Sequence, residues 1–260
     1  MNKLYDKFRF YLRYTFLSVV GHYKTLSPGI HLLNGHYLKD NIESIDRFKK
    51  MLLILSKNAK LVRVEEAIAM IVKHEMPQEP IIAFTFDDGF MECYTNFAPI
   101  LEEYGINGLF FINPNYVDGD ETYIHNFNNS IVFTQNKKPM RWVQLKELQN
   151  RGHIIGAHTM DHYMINTDDE NELEYQIGYC KQIIEEQLRV KCNYFAFPYG
   201  KIEHANTKAI DIACMHYKYV FSQSDYKHYF SFNGRVINRR HFEPFWPISH
   251  VKYFLSANKR

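Results

Sequence analysis

The stretch Ile81–Gly89, IIAFTFDDG, constrains this chain more than any other. A β-prone run from Ile81 to Phe86 stops abruptly at Asp87, Asp88 and Gly89, the pattern of a buried strand that delivers two carboxylates to its C-terminal edge. In α/β folds that edge is where chemistry is assembled. Neighbouring side chains at a strand end point in different directions, so one Asp can hold a metal while the other faces whatever the metal holds. Asp-Asp-Gly is also an ordinary turn, and the tripeptide alone favours the turn. The surrounding chain shifts that balance.

Strands and helices alternate on both sides of this stretch. Gly29–Leu33 reads as a first strand, and ESIDRFKKMLLILSKN carries Ile45, Phe48, Leu52 and Leu55 at helical spacing. A short strand at Leu61–Arg63 and a helix from Glu65 to His74 follow, before Pro77 and Pro80 interrupt. Beyond Gly89, Phe97, Ile100, Leu101 and Tyr104 share one helical face that Gly105 closes, and Asn107–Ile112 is strand-like. Trp142, Leu145 and Leu148 mark another helix, HIIGAHT from His153 another strand, Asp169–Leu188 a helix, and Tyr194–Gly200, YFAFPYG, a further strand. This βαβ rhythm predicts a parallel sheet or barrel. Pro114–Pro139 is polar, Asn-rich and long, and reads as an insertion loop at about 114–139.

A chain of 260 residues, 46% hydrophobic and 23% charged, fits one large α/β domain, here 27–260, preceded by a basic, aromatic extension over 1–26. A net charge of +2 with scattered Lys and Arg argues against a nucleic-acid partner. The aromatic excess, 19 Tyr and 20 Phe, suits a core more than a sugar groove. Cys93, Cys180, Cys192 and Cys214 have no metal or redox spacing and read as reduced structural thiols. With no secretory pattern in Met1–Tyr23, the expected location is cytoplasmic. That segment carries Lys3, Lys7, Arg9 and Arg13 among aromatics. It is either a helix packed on the domain or one lying on the inner face of a membrane.

The second chemical cluster is His158-Thr159-Met160-Asp161-His162. Histidines at i and i+4 can meet on one side of a helical turn and bind one divalent ion. His158 ends an apolar strand, as Asp88 does, which places both clusters on one sheet edge. Asp plus two His suits a catalytic metal that keeps a position open for water. In Pro198-Tyr199-Gly200 the backbone is fixed and then turned, so the Tyr199 amide could be aimed at the same place, although the tripeptide alone favours a turn without a role.

TFDDG, HTMDH and FAFPYG, in this order and at these separations, resemble the motifs of the polysaccharide deacetylases, the NodB homology or carbohydrate esterase family 4 group. The likeness extends through EPIIAFTFDDGF, NFAPILEEYGINGLFFI and RWVQLKELQNRGHIIGAHTMDH. It implies a distorted, incomplete (β/α) barrel. It also implies Asp88, His158 and His162 as ligands of a divalent metal such as zinc, Asp87 as catalytic base, and Tyr199 as the residue whose amide helps hold the oxyanion. The substrate implied is an acetylated sugar.

The chain departs from the family twice. The family's third motif has an Arg two residues before its Pro, bracing the base; here that residue is Ala196. GRVINRRHF offers a substitute, Arg239 first and Arg240 second. The family's late Leu-x-His motif, source of the acid, has no clear counterpart, and His241 lies in a suitable late segment. The expected activity is N-deacetylation of an acetamido sugar of a surface polysaccharide or its precursor. Deformylation or O-deacetylation of a lipid-linked or nucleotide-linked sugar is an alternative. A silent sugar-binding module is another, against which the retention of both Asp87 and Asp88 speaks.

Overall fold

Parallel pairing of short apolar strands organises the molecule, whose computed structural model describes residues 3–39, 41–223 and 225–259. The strands are β1 (Gly29–Gly35), β2 (Lys60–Leu61), β3 (Pro80–Phe86), β4 (Gly108–Ile112) and β5 (Ile154–Ala157), then β6 (Tyr194–Ala196), β7 (Tyr219–Ser222), β8 (Phe230–Ser231), β9 (Val236–Asn238) and β10 (Arg240–His241). They form one sheet in the order β10-β1-β3-β4-β5-β6-β7-β9-β8, with β2 beside β3; every pair is parallel except β8 with β9. Only Arg239 separates β9 from β10, yet β9 pairs with β7 and β10 with β1. One extended segment therefore draws the two ends of the sheet together, and the sheet curls into an incomplete (β/α) barrel.

Alternation along the strands sorts side chains to the two faces of this barrel. Ile30, Leu32, Ile81, Ala83, Leu109, Phe111, Phe221 and Ile237 face inward and pack with Val64, Ala67, Ile68 and Ile71 of α3 (Val64–Val72), which closes the N-terminal end. The opposite parity, Leu33, Ile82, Phe84, Phe86, Phe110, Ile112, Phe195 and Val220, packs under the surrounding helices. Among these, α2 (Ile42–Ser56) is started by Asn41, whose side chain accepts from the Ser44 amide, and buries Phe48, Met51, Leu52 and Leu55. Phe48 meets Phe84, Phe86 and Phe97 edge-on. Burying a side chain of this size stabilises by about 1.5–3 kcal/mol. Towards the C-terminal ends of the strands the inward positions turn polar: Asn34, Thr85, Asp87, His158 and Arg239, all buried.

The remaining helices on that end brace the site. The segment 114–139 is not the loop its Asn-rich composition suggests. It holds α5 (Pro114–Asp118), α6 (Glu121–Asn126) and a wider turn at Phe127–Ile131, following α4 (Ala98–Glu102). Tyr116, Phe127 and Phe90 form a buried aromatic cluster, with Tyr116 and Phe127 stacked at 3.9 Å. Polar composition hid the helices because only a few large rings supply their burial. The helix expected over Asp169–Leu188 is present in three pieces, α8 (Glu170–Leu173), a wider turn at Glu174–Tyr179, and α9 (Cys180–Leu188), with α7 (Trp142–Asn150) before it.

The N-terminal α1 (Lys3–His22) packs on α11 (Ile248–Leu255), while α10 (Thr207–His216) packs against the turn at Glu174–Tyr179 and β7. The approach is close at Gly21, where a Cβ would stand 2.0 Å from the Ser249 carbonyl oxygen. The Lys252 ammonium donates to the His22 carbonyl at 3.0 Å. Among the described residues no helix is long and apolar enough to cross a membrane. All four cysteines are unpaired, three of them buried.

Candidate active site

Asp87 sits where strand β3 ends, its amide bonded to the Gly35 carbonyl at the end of β1. Its carboxylate is buried in an ordered polar cage. Arg239 donates to Oδ1 at 2.7 Å and to Oδ2 at 2.9 Å, and the Asn34 amide donates to Oδ2 at 3.0 Å. The same guanidinium donates to Asn34 Oδ1 and Thr85 Oγ1, and lies 4.9 Å over the Phe111 ring. Burial alone would raise the Asp87 pKa, but the Arg239 charge and the bonds from Arg239 outweigh it and hold the carboxyl far below the usual range. Arg239 thus stands against Asp87, whereas Arg240 points away and donates to the Phe254 and Ala257 carbonyls.

Asp88 turns away from Asp87 through a left-handed backbone, φ 70°, followed by Gly89 at φ 68°. Its Oδ1 faces His162 Nε2 at 3.4 Å and His158 Nε2 at 3.8 Å. The three ligand-type atoms lie within 4.8 Å of one another, all on buried residues. Asp88 Oδ1 has no hydrogen-bond partner. Burial pushes this carboxyl up to about 7, against the opposing charge of His36. Burial also takes His158 down to about 4 and His162 well below its ordinary value, so both imidazoles are neutral.

Local structure fixes these rings. His158 Nδ1 donates to the Ala196 carbonyl at 2.6 Å, which leaves Nε2 with its lone pair towards Asp88. Ala196, in place of the family's Arg, therefore still serves the cluster through its backbone. His158 and His162 do not share a helical turn, as their i, i+4 spacing suggested. They stand on an irregular loop in which Thr159 (φ 64°) and His162 (φ 56°) adopt left-handed backbones. Asn113 donates to the His158 and Thr159 carbonyls, and Asp161 accepts from Asn115, Tyr123 and Gln176. Those bonds, several of them from α5, α6 and the turn at Glu174–Tyr179, hold a strained loop that is not itself helical. Tyr199, also left-handed at φ 64°, lies edge-on to His162 at 4.7 Å. Of the ten described non-glycine residues with positive φ, four are at this cluster, the distribution expected where function rather than turn chemistry sets the backbone.

His241 lies beside this cluster as part of a second group. His36 Nδ1 bonds Glu243 Oε1 at 2.8 Å, and His241 Nε2 stands 3.6 Å from the same oxygen. Burial would lower His36, but Glu243 holds it protonated, up to about 9; burial takes His241 down to about 4. Sequence reasoning missed His36 and Glu243. The signal for His36 was present: it follows the C-terminal end of β1 as Asp87 and Asp88 follow that of β3.

A curled parallel barrel with a buried carboxylate–imidazole cluster at its C-terminal strand ends is the architecture of the polysaccharide deacetylase group. The chain belongs to that family, whose sequence model, described as polysaccharide deacetylase, matches residues 74–217. The Bacillus subtilis protein YxkH is 23% identical over 147 residues, covering 56% of this chain and 47% of YxkH, so the match spans about half of that relative. IcaB from Ammonifex degensii superposes with a TM-score of 0.70 at 20% identity, over 90% of this chain and all of its own. The Streptococcus pyogenes deacetylase PplD, solved with acetate, gives 0.65 at 17% identity, over 89% and 99%. At such identities the likeness is one of fold.

Proposed function

We propose that the protein is a metal-dependent hydrolase that removes the N-acetyl group from an acetamido sugar of a surface polysaccharide or its precursor. The observation that carries this reading is Asp88 Oδ1, buried without a hydrogen-bond partner and facing two neutral imidazole nitrogens. Ligand atoms at about 2.0–2.2 Å from a tetrahedral zinc ion stand roughly 3.4 Å apart, so Asp88, His158 and His162 fit one such cation with a position left open. When bound there, the ion supplies Lewis acidity towards an amide carbonyl and towards a water.

The chain's own groups supply the rest. Asp87, kept ionised by Arg239, accepts the proton of the attacking water. A carboxylate so acidic is a weak base, which restricts it to a water whose own pKa has been lowered. The Tyr199 amide is assigned to the developing oxyanion. The leaving sugar amine needs a proton, and His36 is a better source than His241, because Glu243 keeps His36 charged while burial keeps His241 neutral. The 2.8 Å contact between His36 and Glu243 is a hydrogen bond, shorter than the spacing of two ligands on one ion, which favours an acid dyad over a second metal site.

Two results are expected. His158→Ala or His162→Ala should strip the metal while leaving the fold intact, since the core lies elsewhere; undiminished metal by elemental analysis in both variants would remove the assignment. A general acid works only while protonated, so turnover should fall as pH rises through the His36 pKa, about 9 or lower with a dication nearby. Glu243→Gln removes the carboxylate that raises this pKa and should move the falling limb of kcat to lower pH. An unmoved limb would dismiss His36 as the acid.

A further inference from the structure

A cavity of about 390 Å³ opens between α1 and α11, outside the cluster described above. Its walls are aromatic, with Phe10 and Tyr14 from α1 facing Phe245, Trp246 and Phe254. Three cations, Arg13, Lys39 and Arg47, also line it. Arg47 is paired with Glu43. Among the described residues Arg13 and Lys39 have no carboxylate partner, and the Lys39 ammonium lies 4.8 Å over the Phe245 ring. Cations bordering an apolar space without a counter-charge suit an anion whose remainder is apolar.

The cavity adjoins the proposed active site. Trp246 stands 5.2 Å from His241, ring to ring, and Phe245 stands 5.5 Å from Tyr37. His36, Tyr37, Leu38 and Lys39 are consecutive, so the Cα atoms of the proposed acid and of the cavity's lysine are at most about 11 Å apart. That reach accommodates a sugar ring and a phosphate on it. The outer side of α1 adds an independent observation. Phe8, Tyr11, Leu12 and Val19 recur at helical spacing on the side away from Leu17 and Gly21, and all are exposed. With Lys7, Arg9 and Arg13 on the same helix, this face has the make-up of a segment that lies in the headgroup region of an anionic membrane.

We propose that the substrate is a lipid-linked sugar: the acylated sugar sits at Asp87, Asp88 and the histidines, its phosphate at Lys39 and Arg13, and the start of its apolar chain in the aromatic cavity. The placement of the sugar rests on the deacetylase reading; the cavity's ligand does not.

The test is calorimetric titration with three soluble probes: geranyl phosphate, geraniol and inorganic phosphate. Geranyl phosphate should bind at least about ten-fold tighter than either of the others, a gap of about 1.4 kcal/mol. Arg13→Gln/Lys39→Gln should bring geranyl phosphate to the affinity of geraniol at an unchanged melting temperature, and Trp246→Ala should weaken both geranyl ligands. Equal affinity for geranyl phosphate and geraniol, or a preference that survives in the double variant, would overturn the inference. So would inorganic phosphate binding as tightly as geranyl phosphate, which would show a plain anion site. The titrations need no turnover. Acetate release from soluble sugars without this preference would sink the lipid-linked substrate alone, and the preference without release of any acid would sink the deacetylase reading alone.

Discussion

Arg239→Met should lower the melting temperature by about 10 °C, the equivalent of about 3–5 kcal/mol for breaking a buried ion pair in a chain of this size. The substitution leaves the Asp87 carboxylate in a barrel interior with only Asn34 and neutral His158 beside it and no cation in contact. Most of the loss comes from that stranded charge rather than from the worth of the pair, so Asp87→Asn/Arg239→Met should recover part of it. The sign with pH follows from the direction of the Asp87 shift. Its folded-state pKa lies below the ordinary 3.8, so the stabilisation is complete above about pH 4 and is lost as pH falls towards the folded value. The gap between wild type and Arg239→Met should therefore shrink in acid. A melting temperature within about 2 °C of wild type at neutral pH would show that Arg239 does not sustain Asp87.

Asp87→Asn should cost about two to four decades in turnover. The amide keeps the shape of the carboxylate, but it turns an NH2 group towards donors on Arg239 or Asn34 and cannot accept the water proton. Metal content and sugar affinity should survive, because neither depends on proton transfer. The variant also removes the negative partner of Arg239, so its melting temperature belongs beside its kinetics; a rate loss that merely tracks unfolding would not count for the base. Retained turnover in a folded variant would assign the base elsewhere, and a wild-type protein that binds sugars without releasing acid would favour a binding module.

Much of the barrel was legible because its strands are buried on both faces and read as apolar runs, and because three of them end in chemistry-bearing residues. Asp88 and His158 were read from that rule, His162 from its spacing to His158, and Arg239 as a substitute for the family Arg that Ala196 replaces. What sequence could not supply was proximity between distant segments. His36 and Glu243 are 207 positions apart and meet only because β10 pairs with β1, a register no local pattern encodes. The 114–139 segment failed for a different reason: its helices are one or two turns long, and their burial depends on Phe90 from another part of the chain. The i, i+4 spacing of the histidines pointed to two rings that do come together, but through another geometry, since left-handed residues rather than a helical turn bring them there.

The central claim is most directly tested by acetate release from N-acetylated sugars, lipid-linked ones included, measured on the protein as purified, after chelation, and after zinc is restored. The account predicts acetate in amounts matching the free amine formed, its loss on chelation and its return with zinc. Undiminished release from protein stripped of metal would contradict it, as would the absence of acetate from every sugar tried with zinc bound.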